Sequence, residues 1–315
     1  MIALATISGC ALVGDHCHGP PQRTSTAEIL HVLHAPLDTR RFAQVMPSDD
    51  VLGELQVLRA RHEDTFADLA RTHDLGYQAL RAANPAVDPW LPGAGTAVYL
   101  PTLVVLPNAP RDGIVINLPS MRLFQFDAGD AGDAGAAAPA WQVHSHPIGI
   151  GREGWATPTG SLRVIEKTRD PNWYPPASVR AEHAAEGDPL PEVVPPGPDN
   201  PLGRFKMRLS NPSYLIHGTN KPAGVGMRVS HGCIRLYPED IAPLFERVAL
   251  DTPVHIVNQP VLAGWRDGEL YLEVHAPLAE DGRDPAELAW QVIDAAFARV
   301  GATNAVLEPA LVAEV

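Results

Sequence analysis

Cysteine is scarce in this chain of 315 residues, which has three, at positions 10, 17 and 233. No Cys-x-x-Cys pair occurs, so the sequence lacks the paired spacing typical of a structural zinc site. No stretch approaches the ~18 consecutive apolar residues of a membrane helix. Basic residues are outnumbered, 24 to 37, and the formal charge of −13 argues against a nucleic-acid partner, which would require a basic surface.

The residues that are abundant favour β structure. Prolines number 32 and glycines 26, whereas charged residues make up 19% of the chain. This balance favours strands, turns and ordered loops over a helical bundle. The length is typical of about two domains, and a hydrophobic share of 45% is enough to build a buried core.

The first 53 residues are interpreted as an export segment followed by a linker. Residues 1 to 13 are apolar and small but lack the basic start of a signal peptide. Ile7-Ser8-Gly9-Cys10 resembles the cleavage box of a bacterial lipoprotein, whose cysteine is lipidated after export; an ordinary export segment is the alternative. A disulfide between Cys10 and Cys17 would leave Cys233 as the unpaired thiol of an exported protein.

Residues 54 to 102 form the first compact unit that the sequence predicts. Asp64-Thr65 suits the start of one helix, and a second helix is predicted to end at Asn84-Pro85 before a strand at 97 to 101. This strand–helix–helix–strand order resembles a LysM module, a small peptidoglycan-binding domain. Glu63 stands where that family usually has glycine, so the unit is either a glycan binder or a fold retained for positioning.

Residues 111 to 259 are predicted to form a second, mainly β domain, and a strand and a helix extend it from 260 to 315. Strands are predicted at 114–118, 123–126, 143–150, 161–166, 205–209, 214–217, 232–236, 253–257 and 268–275. Many short strands separated by turns are typical of a sandwich or barrel. Residues 171 to 203 interrupt the strands with nine prolines, and we expect an ordered cap near a site. Helices are predicted after Tyr237 and from Asp284. Their apolar stripes are Ile241, Leu244, Phe245 and Val248 in the first, and Leu288, Val292, Ala296 and Val300 in the second.

The stretch 216 to 236 gathers the residues of a nucleophilic site. A thiol attacks as thiolate, and a histidine within hydrogen-bond reach can take its proton. Cys233 is the predicted nucleophile, and either His217 or His231 is the base. His217 is preferred, because residues 231 and 233 share one strand face, where neighbouring side chains seldom bond head to head. Backbone N–H groups from 230 to 233 would face the oxyanion.

Glycines explain the long gap between the two partners. Gly218, Gly224 and Gly226 allow the chain to leave one strand and return beside it, so that His217 and Cys233 can meet. His231 then shapes the turn as a hydrogen-bonding residue. Arg235 shares a face with Cys233 and is placed to hold a substrate carboxylate beside the thiol. The other candidate substrate contacts are Ser230, Tyr214, Arg152 and Met227.

The pattern resembles the L,D-transpeptidases of the YkuD family, in their ErfK/YbiS/YcfS/YnhG-like subgroup. That family has a distant histidine, then Ser/Thr-His-Gly-Cys, a hydrophobic residue, and Asn or Arg. Ile-His-Gly-Thr-Asn at 216–220 and Ser-His-Gly-Cys-Ile-Arg-Leu at 230–236 match without a gap. The resemblance extends over 114 to 258. It implies a YkuD-type β-sandwich or barrel with a few helices, preceded by a small α/β LysM-like module.

The resemblance also implies an acyl-transfer reaction on peptidoglycan. Cys233 would attack the diaminopimelate–D-Ala bond of a tetrapeptide stem and form a thioester, with the Gly218 carbonyl orienting the ring of His217 and Gly232 in the catalytic turn. The acceptor is a lysine of an outer-membrane lipoprotein, another diaminopimelate or a free D-amino acid, and water would give carboxypeptidase activity. Carbapenems, which mimic the donor, acylate the cysteine of the family. No metal or organic cofactor is implied.

The resemblance to this subgroup implies the periplasm or cell envelope of a Gram-negative bacterium, with membrane attachment only through a lipid at Cys10. Two rival interpretations remain open. One makes His217, His231, Cys233 and His255 zinc ligands, and the other makes the protein a non-catalytic wall binder. Four histidines outside the catalytic stretch are expected at the rim or partly buried; they are His144, His146, His255 and His275.

Overall fold

The computed structural model describes residues 4–8, 31–32, 41–46, 48–128 and 141–301. Cys10 and Cys17 lie outside the described residues, and with them the predicted disulfide and lipidation site. None of the helices in the described ranges is long and apolar enough to cross a membrane.

Short strands make up most of the regular structure. They are β1 (Leu4–Ser8), β2 (His31–Val32), β3 (Arg41–Val45), β4 (Val51–Leu52), β5 (Gln56–Arg59), β6 (Ala97–Leu100), β7 (Val104–Val105), β8 (Gly113–Asn117), β9 (Arg122–Ala128), β10 (Trp141–Pro147), β11 (Ile150–Gly151), β12 (Gly160–Arg169), β13 (Phe205–Leu209), β14 (Leu215–His217), β15 (Arg228–Ser230), β16 (Ile234–Arg235), β17 (Pro253–Val257), β18 (Val261–Arg266) and β19 (Glu269–Val274). The helices are α1 (Phe66–Thr72), α2 (Tyr77–Ala83), α3 (Ala177–Ala185), α4 (Pro238–Arg247) and α5 (Pro285–Val300), with a 3-10 turn at Pro222–Gly224.

A nine-stranded sheet forms the centre of the molecule, in the order β16-β14-β13-β12-β17-β8-β9-β10-β3. Strand β12 pairs with β17 through residues 160–163 and with β13 through residues 164–169, and the register shifts between Val164 and Glu166. A bulge of this kind bends a strand and increases its twist. The sheet therefore curls at β12, and the predicted mainly β fold of the YkuD type is confirmed.

One hydrophobic core joins the two halves of the curled sheet. It combines residues on either side of the bend in β12 with the buried face of α4, and burial of this apolar surface is the main stabilising term of the fold. Its central members are Ile114, Ile116, Leu123, Val164, Met207, Ile216, Ile234, Leu236, Ile241, Leu244, Val254 and Ile256.

The predicted strands are found almost element by element. β13 and β17 begin and end at the predicted residues. β16 is shorter than predicted, because the turn that carries Cys233 leaves the sheet. β3, β15 and β18 were among the strands that were missed. β3 lies in the predicted linker but pairs with β10, and β15 pairs only with the two-residue β11; such non-local contacts leave no periodic pattern in the sequence. Helix α3 was also missed within the proline-rich segment.

The predicted apolar stripe is correct for α4 and displaced for α5. All four stripe residues of α4 are buried, as predicted. In α5 the stripe is offset: Ala289, Ile293, Ala296 and Phe297 are buried, whereas Val300 is 54% exposed. The reason is that α5 packs on the β18–β19 hairpin, where the ring of Trp265 meets Phe297 edge-on at 5.4 Å.

The unit at 54–102 has the predicted order of two strands flanking two helices. Thr65 caps α1 by accepting the N–H of Asp68, and α2 ends before Asn84. The amide of Asn84 bonds the Leu80 carbonyl and, through both its donor and its acceptor, the backbone of Tyr99. Strand β6 is thereby tied to α2 over a separate small core. The LysM identity of this unit and the domain boundaries stay predictions.

The 54–102 unit docks against the start of α4 and the loop between β14 and β15. Arg71 donates to both carboxylate oxygens of Glu239, at 2.7 and 2.9 Å. The hydroxyl of Tyr237 donates to the Leu75 carbonyl at 3.2 Å. Because the contacted loop joins His217 to Cys233, this unit supports the segment that carries the predicted site.

We expect Gly226→Ala to loosen this docking. Gly226 has a φ of +76°, and a Cβ there would lie 2.2 Å from the Cα of Gly76, a backbone atom. The expected loss in the free energy of unfolding is about 2–4 kcal/mol, measured by urea titration. Gly95→Ala is the matched control, because Gly95 also has a positive φ but nothing in the described part of the chain lies within 4 Å of its Cβ. Equal losses in the two variants would contradict a role for the close contact.

Candidate active site

Two parallel strands bring the predicted base and nucleophile to one groove. β14 and β16 pair in parallel, with Ile216 opposite Ile234 and His217 opposite Arg235. Cys233 directly precedes β16, and it lines the same groove as His217, with a volume of about 500 Å³. The predicted pairing of these two strands is confirmed.

The ring of His217 is held in one tautomer. Its Nδ1 lies 2.6 Å from the Gly218 carbonyl oxygen, the predicted partner. Because a carbonyl only accepts, Nδ1 carries the proton and Nε2 keeps a lone pair. Burial, and then the charge of Arg235, lowers the pKa of His217 to about 3. The imidazole is therefore neutral near neutral pH and is able to accept a proton at Nε2.

The thiol of Cys233 is also neutral at rest. Burial raises the pKa of Cys233, while a hydrogen bond with the Leu215 backbone and the charge of Arg235 act in the opposite direction. A raised thiol pKa and a lowered histidine pKa both disfavour a preformed thiolate–imidazolium pair. The arrangement therefore suits a proton transfer that accompanies attack by the sulfur.

Hydroxyl groups fix the turn that carries the cysteine. Ser230 Oγ donates to the Cys233 carbonyl at 2.6 Å and accepts the Gly232 N–H at 3.2 Å, and Thr157 Oγ1 donates to the Gly232 carbonyl at 2.9 Å. Gly232 has a φ of +99°, and a Cβ there would lie 2.9 Å from the Tyr214 ring, which explains the glycine. The Gly232 N–H and the Ser230 hydroxyl are thus engaged within the turn. Both groups hold the turn, and the oxyanion and substrate contacts predicted for these two residues stay predictions.

Arg235 lies between two cavities. It lines the groove of Cys233 and a second cavity of about 620 Å³ beneath the proline-rich segment. Its Nε is buried and has no hydrogen-bond partner among the described residues. The role of Arg235 in holding a substrate carboxylate stays a prediction.

The proline-rich segment 171–203 covers the groove. Trp173 near its start and Leu202 near its end both line the groove. Asn200 closes the neck of the segment by donating to the Pro171 carbonyl at 2.8 Å. The expectation of an ordered cap near the site agrees with this placement.

Glu182 is the residue that sequence reasoning missed at this site. It lies on α3 within the cover, and its Oε2 is 3.0 Å from Nε2 of His231. Arg152 donates to the other oxygen of Glu182 and also lies 3.3 Å from the same His231 nitrogen. No spacing marks Glu182 in the sequence, because the loop that folds α3 back over the turn is irregular.

The predicted substrate contacts are not all brought to the groove. Tyr214 and Ser230 line it. Arg152 is one step away, bound to Glu182. Met227 is not among the residues that line it, and its backbone carbonyl instead accepts the N–H of Ile150 at 3.1 Å.

The histidines expected at the rim are more buried than predicted. His146 is 1% exposed, with Nδ1 3.6 Å from a carboxylate oxygen of Asp240, and His144 is also buried. His146 is buried because the docked 54–102 unit brings Asp74 within 4.8 Å of it. His275 is buried beside Glu273, and half-buried His255 lies outside the groove, 2.8 Å from Asp112. The rival zinc set is therefore not assembled around Cys233.

Comparison with known proteins agrees with this geometry. The family model "L,D-transpeptidase catalytic domain" (YkuD) matches residues 111–256, which contain His217, Cys233 and the cover. "Probable L,D-transpeptidase YbiS" of Escherichia coli K12 is 40% identical over 240 residues, covering 74% of this chain and 75% of that protein. This chain belongs to the L,D-transpeptidase family.

Two further relatives carry the same family name. "Probable L,D-transpeptidase YcfS" of Escherichia coli K12 is 42% identical over 225 residues, or 70% of this chain and 67% of that protein. "Probable L,D-transpeptidase ErfK/SrfK" of Salmonella typhimurium is 41% identical over 214 residues, or 67% of this chain and 66% of that protein. The similarity of this L,D-transpeptidase to its relatives thus extends beyond the catalytic domain.

Proposed function

We propose that this L,D-transpeptidase acts on peptidoglycan stem peptides through a cysteine thioester. The observation that carries the proposal is the pairing of β14 with β16. This pairing places a neutral imidazole with a free Nε2 lone pair and the thiol of Cys233 on one covered groove. Acyl transfer requires at least a nucleophile and a base that is oriented to accept its proton.

Acylation would proceed with the proton moving from sulfur to His217. As Cys233 Sγ bonds to the carbonyl carbon at the L-centre of diaminopimelate, Nε2 of His217 takes the thiol proton. The bond from that carbon to the nitrogen of the terminal D-Ala then breaks, and His217 returns the proton to the leaving amine. The products are free D-Ala and a thioester on Cys233.

The oxyanion formed during attack needs backbone donors. The Gly232 N–H is engaged by Ser230, whereas the N–H groups of Cys233 and His231 make no hydrogen bond within the described residues. We assign these two groups to the oxyanion in place of Gly232, because unpaired N–H groups fixed in a turn can stabilise developing negative charge without reorganisation.

The second half of the reaction transfers the acyl group to an amine. The acceptor amine attacks the thioester carbon, His217 takes its proton, and the proton passes to the departing sulfur. A lipoprotein lysine and a second diaminopimelate both present such an amine, and water would give carboxypeptidase activity. The three relatives named above come from Gram-negative bacteria, which supports a place in the cell envelope of such a bacterium.

Incubation of the purified protein with disaccharide-tetrapeptide tests the function. We expect release of D-Ala and a covalent adduct on the peptide containing Cys233, both detected by mass spectrometry. Supplying a second tetrapeptide or a lysine peptide as acceptor distinguishes cross-linking from lipoprotein attachment. Meropenem is the second probe: a stoichiometric adduct supports the enzyme, whereas tetrapeptide binding with neither adduct nor D-Ala release would support the rival wall binder.

Arg235→Ala is expected to weaken use of the stem peptide by about 10–100-fold in kcat/KM, because a charge-assisted bond to the substrate carboxylate is lost. Arg235→Lys should fall between wild type and alanine, since lysine keeps the charge but not the planar fork. Arg81→Ala, on the exposed surface of α2, is the control. Steady-state kinetics with tetrapeptide make the comparison, and an unchanged kcat/KM for Arg235→Ala would remove its proposed role.

A further inference from the structure

Glu182 connects the proline-rich cover to the loop that carries Cys233. One oxygen of its carboxylate faces His231 and the other is bound by Arg152. Hydrogen bonds from Arg152 and then His231 lower the pKa of Glu182 to about 2, so the carboxylate stays charged through the physiological range.

The partners of Glu182 are themselves held firmly. The His231 ring meets Trp155 edge-on with centroids 4.8 Å apart, and the Arg152 guanidinium lies 5.9 Å over the same Trp155 ring. The Arg152 backbone N–H donates to the Ser230 carbonyl at 3.0 Å, next to the catalytic turn. The fixed end of the contact is therefore part of the active-site loop.

The cover is held by several contacts, of which Asn220 supplies one by donating to the Pro198 carbonyl at 3.1 Å. Its neck is closed by Asn200, whose amide donates to the carbonyls of Pro171, Val194 and Pro195. Its helix α3 reaches the active-site loop through Glu182, and α3 also places Ser178 and Val179 against the groove. Loss of the Glu182 contact would leave the hydrogen bonds of Asn200 in place but would release α3, which forms one wall of the groove.

We propose that Glu182 is a positioning residue that latches α3 to Arg152 and His231 and so holds the cover closed over the substrate groove. This proposal deepens the proposed function, since a closed cover matters only for a substrate long enough to touch it. It also gives His231 a definite task, as one of the two anchors of the latch. A small reagent that alkylates the thiol of Cys233 does not need α3 to bind it, so its reaction should not depend on a closed cover.

Glu182→Gln tests the latch, because it removes the charge at nearly constant shape. We expect kcat/KM for the tetrapeptide to fall about 10–100-fold, mainly through a higher KM, as charge-assisted bonds are replaced by weaker neutral ones. Alkylation of Cys233 by iodoacetamide should proceed at the wild-type rate or faster. Glu186→Gln is the matched control, since Glu186 is exposed at the end of the same helix.

Hydrogen exchange of the backbone amides supplies a readout that does not depend on activity. Amides of residues 177–185 should exchange faster in Glu182→Gln and in Arg152→Gln than in wild type or Glu186→Gln. Unchanged exchange together with an unchanged KM would overturn the latch. If wild type releases no D-Ala, the proposed function fails while exchange still decides the latch. Slower alkylation in Glu182→Gln would also contradict the proposal, because an opened cover cannot shield the thiol.

Discussion

Cys233→Ala is expected to abolish both D-Ala release and the covalent adduct, with turnover falling by at least about 10³-fold. The sulfur is the atom that bonds to the acyl carbon, and no general base compensates for its loss. The other two cysteines, at positions 10 and 17, lie far from this segment in the sequence. Release of D-Ala and intact mass after exposure to meropenem measure the two losses.

A folding control is needed for this variant. Although the sulfur is shielded enough to raise the pKa of the thiol, the residue is half-buried at the groove, so its truncation should cost little stability and the urea midpoint should remain close to that of wild type. Cys233→Ser offers a second check, because a hydroxyl keeps the shape but is a much weaker nucleophile. Residual turnover near the wild-type level in either variant would contradict a catalytic cysteine.

His217→Ala is expected to lower the acylation rate by about 10²–10⁴-fold, the usual contribution of a general base. The loss should be larger than in an enzyme whose cysteine is already a thiolate paired with a protonated histidine. Burial raises the pKa of Cys233, so the thiol is protonated at neutral pH and needs a base to accept its proton. Stopped-flow acylation by meropenem isolates this step from the acceptor.

His231→Ala is the comparison that separates the two histidines. Nε2 of His231 faces the carboxylate of Glu182, whereas the Nδ1 of His217 is held by Gly218 with Nε2 left as a base. The His231 variant should therefore lose less acylation rate than the His217 variant. Equal activity in wild type and His217→Ala would reverse the assignment of the base.

Because the ring of His217 is buried and neutral, the free energy of unfolding should depend on pH. The pKa of His217 is about 3 in the folded protein, while an unfolded histidine titrates near ~6.5. Between pH 6.5 and pH 3, roughly, the histidine is protonated in the unfolded chain but stays neutral in the folded protein. The stability contributed by the neutral ring is fully present above about pH 6.5 and is lost as pH falls towards 3, by up to ~1.4 kcal/mol per pH unit.

Urea unfolding of wild type and His217→Gln across this pH range isolates that contribution. The variant should show a shallower fall of the free energy of unfolding with acid, because glutamine does not titrate. All other acidic groups are common to both proteins, so their effects cancel in the difference. Parallel pH curves would contradict a buried, neutral His217.

Local patterns in the sequence were enough to predict most elements. Alternating apolar residues placed β13 and β17 at their observed ends, and Thr65 marked the start of α1. These features depend on neighbours a few residues apart, and such neighbours are visible in a linear pattern. Where the partner was distant, as for β15 with β11 or α5 with the β18–β19 hairpin, the prediction missed the strand or displaced the buried stripe.

The sequence by itself determined the chemistry of the site: a single cysteine within the catalytic stretch, a histidine sixteen residues before it, and glycines that allow the chain to return. The tertiary structure alone decided the charge states and the cover. Burial of His217 and Cys233 sets their protonation, and burial depends on residues far away in the chain. In the same way Glu182 meets His231 across 49 positions, because an irregular proline-rich loop folds back, and irregular loops carry no period from which a contact can be predicted.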